Sequence, residues 1–174
     1  MITIVVGTNR PRSKSKQVAI LYQKLLAELF TESQILDLAD LPADFARSAL
    51  YENNGKNEIF NRYRQMMRDS DKFVFVVPEY NGSFPGALKV FIDGLGYPSE
   101  LLHKKAALVG ISDGVQGGAL ALSHLMDIFS YLGMNVLAQR VKIPFMKKNF
   151  VEGEIKDELI KKLIHEQAAL LVRF

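Results

Sequence analysis

The stretch Lys72-Phe73-Val74-Phe75-Val76-Val77-Pro78-Glu79-Tyr80-Asn81-Gly82-Ser83-Phe84-Pro85-Gly86-Ala87-Leu88 decides the fold class. Lys72–Val77 is a nearly continuous apolar run. A half-exposed strand would alternate polar and apolar residues, so this run reads as a strand buried on both faces. Pro78 stops it. Asn81-Gly82 is a turn signal, and Pro85 is a suitable first-turn residue for a helix. That helix carries Ala87, Leu88, Phe91 and Ile92 on one side. A doubly buried strand, a tight turn and an amphipathic helix make up the repeating unit of a helix-covered parallel sheet.

The same unit recurs on either side. Ile2–Val6 and Ala106–Ile111 are further apolar runs, with shorter candidates at Gln34–Asp37 and Asn135–Ala138. Helical spacing joins Val18, Leu21, Leu25 and Leu29. It also joins Ile59, Tyr63, Met66 and Met67 within Asn57–Ser70, then Leu122, Leu125, Met126, Phe129 and Leu132, and finally Leu159, Ile160, Leu163, Ile164 and Leu171. Five strands alternating with five helices predict a three-layer α/β fold. Its parallel sheet has the flavodoxin-like order 2-1-3-4-5, with helices on both faces. No linker or repeat divides the chain, so residues 1–174 are expected to form one domain. The longest loop is expected at Leu38–Lys56.

Composition narrows the chemistry. With 48% hydrophobic and 24% charged residues the chain is globular rather than disordered. The absence of cysteine excludes disulfides, thiolate metal sites and a cysteine nucleophile. His103, His124 and His165 show no paired ligand spacing, so no metal is expected. No signal peptide or apolar membrane span is visible, and the expectation is a cytoplasmic protein with no membrane partner. The net charge of +3 leaves 22 basic residues offset by 19 acidic ones. An aromatic-rich basic array is lacking, so nucleic acid is not the expected partner. Arg10, Arg12, Lys14 and Lys16 are clustered with no acid between them, which suits a phosphate-bearing small molecule.

In an open parallel sheet, ligands bind beyond the carboxyl ends of the strands. Three loops should meet there. Gly7-Thr8-Asn9-Arg10-Pro11-Arg12-Ser13-Lys14-Ser15 leads into a helix whose unpaired N–H groups attract an anion. Thr8, Ser13 and Ser15 offer hydroxyls and Arg10 a charge. A plainer reading makes Ser13 or Ser15 a helix cap. The loop from Pro78 to Gly86 could present its backbone to the edge of a flat heterocycle, with Tyr80 beside it; equally, it could be an ordinary turn. Ser112-Asp113-Gly114-Val115-Gln116-Gly117-Gly118 holds three glycines that let backbone approach a ligand, or form a flexible connection. Gly110-Ile111-Ser112-Asp113-Gly114 also matches G-x-S-x-G, the turn that carries a hydrolase nucleophile. Its histidine would have to be His124 or His165, both on expected helices.

Taken together, these loops resemble the NADPH-dependent FMN reductase family, with its chromate-, quinone- and azo-reducing members. The motifs are Gly7-Thr8-x-Arg10-x-x-Ser13, then Pro78-Glu79-Tyr80-Asn81-Gly82-Ser83 with Pro85-Gly86-x-Leu88-Lys89 and Asp93, then Ser112-x-Gly114-x-x-Gly117-Gly118. The resemblance implies bound FMN, electrons from NADPH or NADH, and a homodimer or homotetramer. It implies that Thr8, Arg10, Ser13 and Ser15 hold the FMN phosphate with Lys14 beside them. Pro78, Glu79, Tyr80, Asn81 and Gly82 would surround the ring, with Ser112, Gly114, Gly117 and Gly118 along its other polar edge. The acceptor would be a quinone, free flavin, an azo compound or a metal oxyanion. The flavin does the redox work, so no side chain is expected to be catalytic. A non-enzymatic flavodoxin-like electron carrier is the alternative on the same fold.

Overall fold

The computed structural model describes residues 1–174. Its main sheet has the order β2-β1-β3-β4-β5, all pairs parallel, from strands β1 (Ile2–Val6), β2 (Ser33–Asp37), β3 (Lys72–Pro78), β4 (Lys105–Ile111) and β5 (Asn135–Val136). The register sets Ile4 between Ile35 and Val74, and Val74 beside Ala107. Alternate residues of each strand point to opposite faces. Val5, Phe73, Phe75, Val77 and Leu108 therefore pack under α3 (Glu58–Asp69), α4 (Gly86–Asp93) and α5 (Ala119–Tyr131). Ile4, Val6, Val74, Val76 and Val109 pack under α1 (Lys14–Glu28) and α7 (Glu158–Arg173). Three layers result, as the alternation predicts. No helix is long and apolar enough to cross a membrane.

Differences gather at the sheet edge and in the long loop. β3 runs through Pro78, which pairs with Ile111 as the strand's last residue, a position where a missing N–H costs nothing in the ladder. The expected strand Asn135–Ala138 ends at Val136, and β6 (Val141–Ile143) resumes the pairing beside Val109–Ile111. A side chain occupies the gap between them. Gln167 Nε2 donates to Leu108 O (3.0 Å) and Gln139 O (2.7 Å), and its Oε1 accepts from the Tyr22 hydroxyl at 3.3 Å.

The loop expected at Leu38–Lys56 contains α2 (Phe45–Ser48) and two single-turn 3-10 helices. It buries Leu38, Leu41, Phe45, Ala49 and Leu50, with the Phe45 ring stacked on Phe60. After β6 come α6 (Met146–Asn149) and a small hairpin, β7 (Phe150–Val151) with β8 (Glu154–Ile155). Glu152 and Gly153, both at positive φ, turn that hairpin.

Candidate functional site

The carboxyl ends of β1, β3 and β4 open onto a cleft of about 320 Å³. Its first wall starts at Gly7, which lies so close to β3 that a Cβ there would sit 3.0 Å from Val76 O. Thr8 Oγ1 accepts from Arg10 N–H (3.2 Å) and lies 3.1 Å from the Tyr80 hydroxyl, linking the first loop to the second. Ser13 has extended backbone and caps α1, its Oγ accepting from Lys16 N–H at 3.2 Å. Ser15 differs: its Oγ is buried and has no partner. The N–H groups of Lys14 and Ser15, at the open end of the helix, have no acceptor within the chain.

The second loop is a two-residue hairpin. Tyr80 and Ser83 exchange backbone hydrogen bonds at 2.7 and 3.1 Å, with Asn81 at φ 51° and Gly82 at φ 79°. Positive φ at both central residues is what Asn-Gly supplies most readily. Glu79 joins this loop to the third. One carboxylate oxygen accepts from Gly82 N–H, and the other accepts from the Ser112 hydroxyl at 3.3 Å. Ser112 Oγ in turn accepts from Gly114 N–H at 3.0 Å.

Glycines of the third loop serve the backbone beneath it. Gly117 and Gly118 adopt φ of 58° and 84°. A Cβ would lie 2.8 Å from Pro144 N at Gly117, and 2.9 Å from Ile111 N at Gly118. Their first requirement is thus close packing on β4 and the segment after β6. The peptide N–H groups of Val115, Gln116 and Gly118 have no acceptor within the chain. They border a second hollow of about 260 Å³.

The structure brings most of the expected site residues together. Thr8, Arg10, Ser13, Lys14, Ser15, Pro78, Glu79, Tyr80 and Ser112 line the main cleft. Gly82, Gly114 and Gly118 line the smaller hollow, which shares Glu79 and Ser112 with it. Asn81 lies exposed at its turn and Gly117 is buried; neither lines the cleft or the smaller hollow. Four cations (Arg10, Arg12, Lys14 and Lys147) face two acids, Glu79 and Asp113, so the cleft is basic. Lys16 is not among them. It pairs with Asp37 at 2.9 Å, and that hydrogen bond, with the charge of Asp37, raises the ammonium pKa above its ordinary value.

Residues the sequence did not mark complete the wall. α6 folds back so that Met146 N–H donates to Ser112 O (3.2 Å) and Lys147 N–H to Asp113 Oδ1 (3.2 Å). Ile111, Asp113, Met146 and Lys147 thereby line the cleft. The only local hint was the basic pair Lys147-Lys148 after Pro144. No histidine hydrogen-bonds Ser112; the Nδ1 of His124 lies 2.9 Å from Ser83 Oγ. No group of three or more His, Cys, Asp or Glu residues is placed to hold a metal ion.

Known proteins resemble this chain in sequence and in fold. Residues 1–147 match the family model described as NADPH-dependent FMN reductase. A 2-hydroxy-1,4-benzoquinone reductase from a Burkholderia species is 33% identical over 141 residues, covering 79% of this chain and 74% of that protein. A quinone reductase from Pseudomonas putida is 36% identical over 143 residues, covering 76% and 71%. Among solved structures, the flavoenzyme NAD(P)H:(acceptor) oxidoreductase FerB from Paracoccus denitrificans superposes with a TM-score of 0.81 at 25% identity, covering 99% and 94%.

Proposed function

The chain belongs to the NADPH-dependent FMN reductase family, and from that premise we propose that its cleft binds FMN by the first loop and passes electrons to a small quinone. It is an NAD(P)H-dependent FMN oxidoreductase. The observation that carries the binding proposal is the buried, unpartnered hydroxyl of Ser15 beside the free N–H groups of Lys14 and Ser15. Buried polar groups are almost always hydrogen-bonded. An anion at this helix start would accept from all three donors and meet the charges of Arg10 and Lys14. The two joined hollows are also the size of a small-molecule site, roughly 300–1,000 Å³.

When bound, the flavin supplies the redox chemistry, taking hydride from NAD(P)H and giving electrons to the acceptor. The residues of this chain bind and orient it. Tyr80, tied to Thr8, and Glu79, tied to Ser112, hold the second loop against its neighbours. The unpaired N–H groups of Val115, Gln116 and Gly118 are fixed donors for a polar ring edge. Donors already in place stabilise charge that develops there without reorganising. No side chain is required as acid or base.

A visible absorption spectrum tests the proposal. Protein dialysed after FMN addition should keep oxidised-flavin absorbance that NADPH bleaches and air restores. Arg10→Ala should weaken FMN binding by about 1.5–3 kcal/mol, read by fluorescence titration; unchanged affinity would remove Arg10 from the site. The quinone assignment draws on the two quinone-reducing relatives. Faster turnover with an azo dye, chromate or free flavin than with benzoquinone would replace it. We place the enzyme in the cytoplasm as a homodimer or homotetramer. The fully exposed Tyr97 is the kind of surface aromatic that subunit contacts cover, and light scattering decides the subunit number.

A further inference from the structure

FMN carries one phosphate, and the first loop already meets it with Arg10, Lys14 and the start of α1. Cationic groups continue beyond that need. Next to the main cleft, and sharing Asp113 and Lys147 with it, lies a third hollow of about 440 Å³ lined by Asp113, Phe145, Lys147 and Lys148. Lys148 is exposed and has no ion-pair partner. Lys147 meets only Asp113, at 3.6 Å, with both side chains largely in water. One acid against two lysines leaves the hollow positive.

Hydrogen bonds shape the wall. Phe145 sits at φ 48°, a left-handed conformation strained for a bulky residue, which Phe30 and Tyr51 also adopt elsewhere in the chain. Its ring is nearly half exposed rather than buried in return for that strain. Three hydrogen bonds hold it there, two of the backbone and one from a side chain: Phe145 N–H to Gly114 O at 3.4 Å, Lys148 N–H to Phe145 O at 2.8 Å, and Asn149 Nδ2 to Pro144 O at 2.9 Å. The turn thus presents an aromatic face and two ammonium groups to a hollow continuous with the cleft. An aromatic face stacks on a nucleobase. Paired lysines beside it bind a phosphate as point charges.

We infer that this hollow holds the adenosine 2′-phosphate end of NADPH, Phe145 stacking on adenine and Lys147 with Lys148 receiving the 2′-phosphate, so that the α6 turn sets the preference for NADPH over NADH. The inference rests on the reductase reading above. It assigns a second phosphate site, separate from the one at the start of α1.

The test pairs a binding measurement with kinetics. Calorimetry on the FMN-loaded protein compares 2′,5′-ADP with 5′-AMP, and initial rates compare NADPH with NADH. The expected result is tighter binding of 2′,5′-ADP than of 5′-AMP. Lys148→Glu should shrink that ratio, and the NADPH-to-NADH ratio of kcat/KM, by about ten- to hundredfold. Phe145→Leu should weaken both nucleotides together. Equal affinity for the two nucleotides in the unaltered protein, or ratios that Lys148→Glu does not move, would overturn the assignment. Failure to oxidise either dinucleotide with FMN bound would instead sink the reductase reading, and the calorimetric ratio would still judge the hollow by itself.

Discussion

A hydroxyl buried without a partner gives up its water hydrogen bonds on folding and regains none, so deleting it is neutral or stabilising for the free protein. Ser15 Oγ is in that position. Ser15→Ala should leave the apoprotein as stable as before or more so, by up to about 1 kcal/mol, while weakening FMN by about 1 kcal/mol. Differential scanning calorimetry without flavin and an FMN titration read the two signs; a loss in both would make the hydroxyl structural. Sequence alone could not separate Ser13 from Ser15, because only the extended backbone of Ser13 makes it the cap. Nor could it tell that the basic run divides. Residues two apart on a helix point in different directions, which sends Lys14 to the cleft and Lys16 to Asp37 at the end of β2. Asn81-Gly82 was legible because its turn is a two-residue matter, settled by φ alone.

At the scale of elements, β1, β3 and β4 could be read directly because strands buried on both faces are apolar throughout. The fifth position was legible only at its start, Asn135–Val136, since what completes it is a side chain far along the sequence. Gln167 stands in for a ladder N–H to Leu108 O, so Gln139 need not continue the strand. Gln167→Leu would fill the space yet leave the buried carbonyl of Leu108, the half-buried carbonyl of Gln139 and the Tyr22 hydroxyl without this partner. A loss of about 2–3 kcal/mol in urea unfolding is expected; a loss below about 0.5 kcal/mol would mean that water replaces the amide. A second remote side chain ends α3. Lys104 Nζ donates to the carbonyls of Met67, Arg68 and Ser70 at 2.7, 2.6 and 2.6 Å. These are carbonyls the helix itself cannot satisfy. A cation at the negative end of a helix stabilises it by up to about 2 kcal/mol, so Lys104→Met should lower the urea midpoint, and an unchanged midpoint would show that solvent caps the helix as well. The loop at Leu38–Lys56 hid its helices for a related reason: their apolar residues are too few for a period, and they gain their burial from α3.

For the molecule as a whole, strand order followed from the strand–helix alternation, and the position of the cleft followed from the order. What remained hidden was the return of α6 onto the third loop, a closure whose donors are the backbone N–H groups of Met146 and Lys147, which carry no sequence signature. The same long-range packing sets how the fold responds to alkali. α7 meets α1 through the buried Tyr22 hydroxyl on Gln167, and burial raises the Tyr22 pKa well above its ordinary 10.0. The hydrogen bond to Asp37 raises Lys16 above 10.5. Both folded-state values lie above their unfolded ones, so both groups bind protons more tightly in the folded chain. Their contributions are complete below about pH 10 and fall as the unfolded chain begins to release those protons first. Stability measured by urea unfolding should therefore be flat through neutral pH and decline above about pH 10. Tyr22→Phe removes one of the two titrations. It should lower stability at neutral pH by the lost hydrogen bond, about 1 kcal/mol, and make the alkaline decline shallower. An equally steep decline in the variant would mean that the phenol ionises without unfolding the chain, and that α1 and α7 separate enough to let hydroxide in.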